Sequence, residues 1–289
     1  MFDFRQRLEQ FLIAKNHPPD IVQLTPDAST REYFRIRWRG TAAIACVYPE
    51  HFDAKEQSYL DVTNLFLQGG LPVAEIYDFD EELGVIVLED FGDRILRPIL
   101  DTADDQKREE LLNEAIKLIA RIQTVTPKAF ELDSIASRLK FDEEKLGWEL
   151  NFFKTHYFET YRQQPLSAEK DTALSAEFIE LVRELEQHTT VLCHRDFHAA
   201  NLMIDHAGNL RIIDHQDARI GTTSYDLVSL LLDRVTKLPT PEWLAEKRRF
   251  FLAERERLGL EKIDFEDFAY EFRLQTIQRC LKAIGTFSF

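Results

Sequence analysis

The sequence predicts an α+β fold in two unequal lobes: a small antiparallel sheet with one inserted helix over residues 1–90, and a mainly helical lobe over residues 91–289. Three observations predict it. Short runs of alternating apolar and polar residues cluster in the first 90 residues, helical periodicity dominates the remainder, and no Pro-, Gly- or Ser-rich linker parts the two.

Phe4, Leu8, Phe11 and Leu12 fall on one face of an amphipathic first helix, a stripe that reads as core rather than partner surface. Residues 33–38 then alternate, with Phe34, Ile36 and Trp38 on one face and Tyr33, Arg35 and Arg37 on the other; Gly40 turns the chain into residues 42–48, making a hairpin. A helix over about residues 53–68 follows, stopped by Gly69 and Gly70, with further strands expected near residues 74–79 and 84–88. Five strands with one inserted helix are expected in this lobe, four of them placed by pattern. Beyond residues 88–92, where an apolar strand gives way to acidic residues and a glycine, helices are expected over residues 104–125, 141–161, 168–187, 225–233, 241–258 and 265–283.

Composition narrows the function classes. With 289 residues and 44% hydrophobic content the chain can bury one large core or two lobes, and it shows no repeats or low-complexity segments. A net charge of −15 argues against a nucleic-acid partner, although the charge inside a cleft matters more to a small substrate than the global value. The longest apolar run is far too short for a membrane span, and the first residues lack the basic and apolar blocks of a signal peptide, so a cytoplasmic protein without membrane association is expected. Cys46, Cys193 and Cys280 show no metal-ligand spacing, which suits a reducing compartment, and Cys193 reads as a buried strand thiol rather than a nucleophile. No protein partner is evident.

The chemistry concentrates in Val191-Leu-Cys-His-Arg-Asp-Phe-His-Ala-Ala-Asn-Leu-Met-Ile204 and, after a turn at Gly208, Leu210-Arg-Ile-Ile-Asp-His-Gln-Asp217. A strand leads into a loop with His194, Arg195, Asp196 and Asn201, and a hairpin then returns Asp214 beside it. The H-R-D-x-x-x-x-N spacing is the one protein kinases use. Phosphoryl transfer is mostly positioning and charge neutralisation, so it needs one carboxylate at the attacking oxygen and hard oxygen ligands for Mg²⁺. Turn chemistry alone would explain Asp196, Asn201 or Asp214 singly, but not their falling together.

The run from His194 to Asn201, with Asp214-His-Gln-Asp217 and Tyr225-Asp-Leu227, resembles the aminoglycoside phosphotransferase and choline kinase superfamily. Within it the nearest likeness is to bacterial anomeric sugar kinases that phosphorylate N-acetylmuramate and N-acetylglucosamine. That closer likeness is carried by residues 27–35 (DASTREYFR), 201–233 and 278–287 (QRCLKAIGTF), so it covers nearly the whole chain. The resemblance implies a two-lobed protein-kinase-like fold, ATP and Mg²⁺ as cofactors, and a small sugar as partner in cell-wall recycling. It implies the kinase chemistry more firmly than the substrate.

Two departures matter. No G-x-G-x-x-G loop appears, its place being taken by residues 27–31, and the strand over residues 41–48 contains no lysine. Ser29, Thr30 and Arg31 are therefore the candidates for the nucleotide phosphates, with Arg35 second to Arg31 because guanidinium forks suit phosphate oxygens. Glu56, expected early in the following helix, is the αC-type glutamate by position, and a solvated glutamate is its plain alternative. Asp196 is the candidate base or orienter of the acceptor hydroxyl, with Asn201 and Asp214 as metal ligands. Asp217 is a second metal contact, a substrate contact or a cap. His194 braces the loop, and His198 does the same or reaches the substrate. Asp226 reads as a helix cap that also anchors the loop, while Arg279 and Lys282, one helical face apart, are substrate candidates or solvated surface charge. His215 stands where the nearest family usually has Phe. Two other readings stay open: an aminoglycoside, choline or similar amino-alcohol kinase, and a pseudokinase that only binds nucleotide, motivated by the missing strand lysine.

Overall fold

A computed structural model describes residues 3–24, 30–232 and 239–289. The first lobe is a five-stranded antiparallel sheet of β1 (Ile21–Gln23), β2 (Glu32–Trp38), β3 (Thr41–Val47), β4 (Ile76–Asp80) and β5 (Val85–Glu89), in the order β1-β2-β3-β5-β4. β1 is the strand that pattern alone does not locate, since three residues are too few to show a period of two. β2 and β3 join through Arg39 (φ 49°) and Gly40 (φ 88°), two left-handed residues whose twist matches that of the strands.

Strand alternation decides which residues face the cleft. Helix α1 (Phe4–Ala14) packs Leu8, Phe11 and Leu12 on the face made by Phe34, Ile36 and Trp38 of β2 with Ala43, Val85 and Val87. The opposite face carries Tyr33, Ile44, Cys46, Ile86 and Leu88, and meets α2 (Ser58–Gln68) together with Met203 and Ile213 of the second lobe. α2 is shorter than the sequence predicts. It starts at Ser58, where Gln57 caps the Tyr59 amide, and the preceding residues form a turn in which Asp53 accepts from the Lys55 amide. It ends as predicted at Gly69 and Gly70, the latter at φ 67°.

The second lobe is built from α3 (Leu96–Thr102), α4 (Asp105–Thr124), α5 (Thr126–Glu131), α6 (Ile135–Arg138), α7 (Glu143–Lys154), α8 (Ala168–Gln187), α9 (Tyr225–Leu232), α10 (Pro241–Arg257) and α11 (Phe265–Ser288). α7 runs on as a π-helical segment, Thr155–Tyr161. Asp104, Asp142, Ser167, Thr240 and Asp264 each cap a helix by accepting an amide N–H, which is why these long helices start where the sequence predicts. The predicted end of α9 at Asp233 lies outside the described residues. Two antiparallel pairs complete the lobe: β6 (Thr189–Cys193) with β9 (Arg219–Thr222), and β7 (Leu202–Ile204) with β8 (Leu210–Ile212). Their apolar residues, among them Leu192, Leu202 and Ile212, share one core with Ala115, Ile116 and Ile119 of α4. Among the described residues no helix is long and apolar enough to cross a membrane.

Candidate active site

The loop between β6 and β7 is held from beneath. Phe197, fully buried, plugs it into the core, a contact that contributes about 1.5–3 kcal/mol. Asp226, on the first turn of α9 and fully buried, accepts hydrogen bonds from the amides of His194 (2.7 Å) and Arg195 (3.0 Å). Arg195 is thereby kept at φ 86°, a left-handed conformation that costs a non-glycine residue about 1–3 kcal/mol. The cap expected of Asp226 acts across the molecule on the loop. Burial pushes its carboxyl up to about 7, against the pull of the two amides.

His194 braces the loop a second time. Its Nε2 donates to the Ile213 carbonyl at 2.9 Å, tying the loop to the residue before Asp214, and burial holds the ring below its usual pKa. His198 works through its backbone: its N–H donates to the Asp196 carbonyl at 3.0 Å and its carbonyl accepts from the Asn201 amide at 2.8 Å. His215 is buried between Phe66 and Tyr59, with ring centres 5.3 and 5.1 Å away, and its Nε2 meets Thr63 Oγ1 at 2.7 Å. Burial drives its pKa down to about 3, so it serves as a neutral aromatic filler with one hydrogen bond.

Asn201 and Asp214 come together as predicted. Asn201 Nδ2 donates to the Asp196 carbonyl (3.0 Å) and to Asp214 Oδ2 (3.3 Å), so its Oδ1 is left as a hard acceptor. Asp214 Oδ1 accepts from Gln216 Nε2 at 2.9 Å and lies 3.6 Å from Arg31 Nη2, so this carboxylate already attracts positive charge. Among the described residues no group of three or more His, Cys, Asp or Glu side chains could hold a metal unaided. Two hard oxygens beside open space fit Mg²⁺, which retains waters and takes its other ligands from phosphate.

Arg31 reaches this point from the cleft face of the sheet, its guanidinium 5.8 and 5.7 Å from the ring centres of Tyr33 and Tyr48. Thr30, next to it, is exposed, and Ser29 lies outside the described residues. Two expectations are corrected. Glu56 is exposed in the turn ahead of α2, so it is not carried by that helix. Arg35 grips Asp90 (2.7 and 3.2 Å) and Asp93 (2.8 Å), so it ties β2 to the segment that follows β5. Arg211 fastens it from the other lobe, bonding Glu89 at 2.7 Å with its guanidinium 3.9 Å from the Phe91 ring centre.

On the α11 side of Asp196 the walls are cationic. Arg195 Nη1 pairs with Asp217 at 2.9 Å, and Arg219 Nη2 lies 3.9 Å from the same carboxylate, so Asp217 is engaged by the second lobe's arginines. Arg279 Nη1 donates to the Arg195 carbonyl at 3.0 Å, its Nη2 lies 4.0 Å from Asp196 Oδ1, and its guanidinium is 4.8 Å from the ring centre of buried Tyr225. Lys282 Nζ is 3.4 Å from Glu149 Oε1. Burial works to raise the pKa of Asp196, but Arg195, Lys282 and Arg279 overcome it and hold the carboxylate below its ordinary 3.8. No pattern around Glu149 singles it out; the signal in the sequence is the recurrence of Glu271, Gln275, Gln278 and Lys282 at helical spacing along α11, three of them buried and so in need of polar partners.

A sheet lobe closing over a loop that gathers Asp196, Asn201 and Asp214 defines a phosphotransferase with a hydroxyl acceptor. The chain belongs to the phosphotransferase enzyme family, whose model matches residues 20–260. It is 28% identical over 275 residues to the N-acetylmuramate/N-acetylglucosamine kinase of Pseudomonas aeruginosa, covering 94% of this chain and 77% of that one. The protein of the same name from Neisseria meningitidis serogroup B is 27% identical, covering 93% and 78%. The fold resembles that of the ADP-bound aminoglycoside phosphotransferase APH(2″)-Ib, with a TM-score of 0.58 at 13% identity, covering 96% of this chain and 98% of that one.

Proposed function

We propose that the protein transfers the γ-phosphoryl group of ATP to the anomeric hydroxyl of an amino sugar, N-acetylmuramate or N-acetylglucosamine, in a cytoplasmic step of cell-wall sugar recycling. The observation that carries this reading is the wall of Arg195, Arg279 and Lys282 beside Asp196. A polycationic aminoglycoside or a choline ammonium would bring positive charge against it, whereas a neutral or acidic sugar would not. The names of the two bacterial relatives support the same substrate class.

In this reading Asn201 and Asp214 hold Mg²⁺, which offsets the charge of the transferring phosphoryl group. Arg31, on the cleft face of the sheet, takes the part of the missing strand lysine, and the backbone of residues 88–92 pairs with adenine. Asp196 orients the acceptor hydroxyl and takes up its proton. A carboxylate held at low pKa is a weak base, which suits an anomeric hydroxyl because that group is more acidic than an ordinary alcohol. The preserved Asp196, Asn201 and Asp214 weigh against a pseudokinase. ATP turnover with a panel of amino sugars, followed by phosphorus NMR of the product, tests the proposal. A phosphate coupled to an anomeric proton is expected; phosphate on another hydroxyl, or turnover only with aminoglycosides, refutes it.

A further inference from the structure

We propose that Asp217 is a positioning residue: it holds the Arg195 guanidinium off the Asp196 carboxylate, so that this carboxylate stays open to the acceptor hydroxyl. Its kinetic test rests on the amino-sugar reading above, and its spectroscopic test on the geometry alone.

The backbone of Arg195 is pinned on both sides. Its amide donates to Asp226 Oδ1 at 3.0 Å, and its carbonyl accepts from Arg279 Nη1 at 3.0 Å. Only the side chain is left to choose a partner, and two carboxylates compete for it. Nη1 lies 2.9 Å from Asp217 Oδ2, a distance typical of a charged hydrogen bond, whereas Nε lies 3.7 Å from Asp196 Oδ2, beyond that range. Nε is buried and makes no hydrogen bond among the described residues. A buried donor without an acceptor is unfavourable, and a short swing of the side chain would satisfy this one on Asp196. Asp217 opposes that swing.

Asp217 is itself fixed. Arg219, on β9 opposite Cys193, donates from Nε to the Asp217 carbonyl at 3.2 Å, and its Nη2 lies 3.9 Å from Asp217 Oδ1. The Arg219 guanidinium rests 5.2 Å from the ring centre of buried Phe141. One carboxylate oxygen of Asp217 thus faces an anchored arginine and the other faces Arg195. This accounts for a carboxylate three residues beyond Asp214 without giving it a metal ion.

The position of Arg195 makes the restraint matter. Asn201, Asp214 and Arg31 lie together on one side of the loop, where a nucleotide's phosphates belong, so an in-line transfer toward Asp196 brings the acceptor to the side where α11 meets the loop. Arg195 stands on that side, joined to Arg279 of α11. A guanidinium closed onto Asp196 would take the oxygen that the acceptor hydroxyl needs.

Asp217→Asn keeps the shape and removes the charge. With N-acetylglucosamine or N-acetylmuramate as acceptor, kcat/KM for the sugar should fall by about ten- to a hundredfold, the factor of one charge-assisted hydrogen bond newly made on Asp196, with the ATP KM changed less than about threefold. Adding Arg195→Gln to that variant should raise kcat/KM again by at least about fivefold, because the guanidinium that closes on Asp196 is gone. A merely structural pair would not make the doubly substituted enzyme the faster one. A raised requirement for Mg²⁺ or ATP in Asp217→Asn, or a double variant no faster than the single one, overturns the inference while leaving the kinase reading standing. Without any acceptor, the Nε–H signal of Arg195 in heteronuclear NMR, assigned through its loss in Arg195→Lys, reads the swing directly. In Asp217→Asn it should move downfield as the bond to Asp196 forms, and an unmoved signal overturns the inference even where neither sugar is phosphorylated, an outcome that by itself refutes only the substrate reading. In the wild type the same signal should hardly respond to Asp196→Ala; a strong response there overturns the inference with no substitution at Asp217.

Discussion

The carboxylate of Asp226 accepts the amide of Arg195 at 3.0 Å, and Arg195 is left-handed at φ 86° directly before Asp196. The residue that presents the reacting carboxylate is therefore in a costly conformation, maintained by a side chain 31 positions away that touches neither nucleotide nor acceptor. Asp226→Asn keeps one acceptor oxygen but sets an amide NH₂ against the second N–H. Turnover should fall by about 10–100-fold, with the ATP KM changed only a few-fold, since about 1.5–3 kcal/mol of positioning is lost. Steady-state kinetics on the variant check this.

The same residue gives a pH signature. The unfolded carboxyl titrates near 3.8 and the folded one at about 7, so folding takes up a proton between those values. That contribution to stability is present below the lower value and is lost as the pH rises through the upper one. The melting temperature of the wild type, measured relative to Asp226→Asn, should therefore decline from about pH 5 to about pH 8. Parallel melting curves across that range would contradict it.

Asp196 and Asp214 should separate cleanly. Asp196→Asn should lower turnover by orders of magnitude with nucleotide affinity nearly unchanged, whereas Asp214→Asn should abolish Mg²⁺-dependent nucleotide binding. Because neighbouring cations hold Asp196 below 3.8, it stays ionised as the pH falls, and kcat/KM should show no acid limb belonging to this group above that value. Titration calorimetry with ATP and a pH–rate profile read the two effects.

Arg31 and Arg37 are both charged and six residues apart, just before and near the end of β2, yet only Arg31 stands beside the metal-binding carboxylate. Arg31 lies 3.6 Å from Asp214, and Arg37 is exposed. Arg31→Ala should raise the ATP KM and lower turnover, while Arg37→Ala does neither to a comparable degree. Equal, negligible effects would mean that metal and backbone alone neutralise the phosphates.

What the sequence revealed and what it hid divide along one physical line. Asp196 and Asn201 just precede, and Asp214 just follows, the β7–β8 hairpin, so local spacing already brings them together, and α8 starts and stops where its Ser cap and apolar period predict. Glu56 lies outside the helix expected there because a helix can begin at any residue that satisfies its first amides, and here Gln57 does so. Contacts between distant segments left no pattern to read. Thr63 with His215, Arg35 with Asp90 and Gln278 with Glu149 join residues 152, 55 and 129 positions apart, and each requires the packed lobes to exist first. His215 shows the limit well: its departure from the family's Phe was visible, but its hydrogen bond to α2 was not.

Gly285 links helix packing to the acceptor side. A Cβ there would come within 2.7 Å of Phe153 Cα and 3.0 Å of its amide nitrogen, both backbone atoms that cannot step aside, so α11 crosses α7 at a distance only glycine allows. The displaced helix would carry Gln278, Arg279 and Lys282, and with them the Gln278 hydrogen bond that holds Glu149. Gly285→Ala should therefore destabilise the protein by about 1–3 kcal/mol and raise the acceptor KM more than the ATP KM. Gly147, within α7, has nothing within 4 Å of an added Cβ, so Gly147→Ala should leave the kinetics alone and stabilise the helix by about 0.5–1 kcal/mol. Thermal unfolding and acceptor kinetics on this pair distinguish the two sites, and equal behaviour of the two variants would contradict the close crossing of α7 and α11.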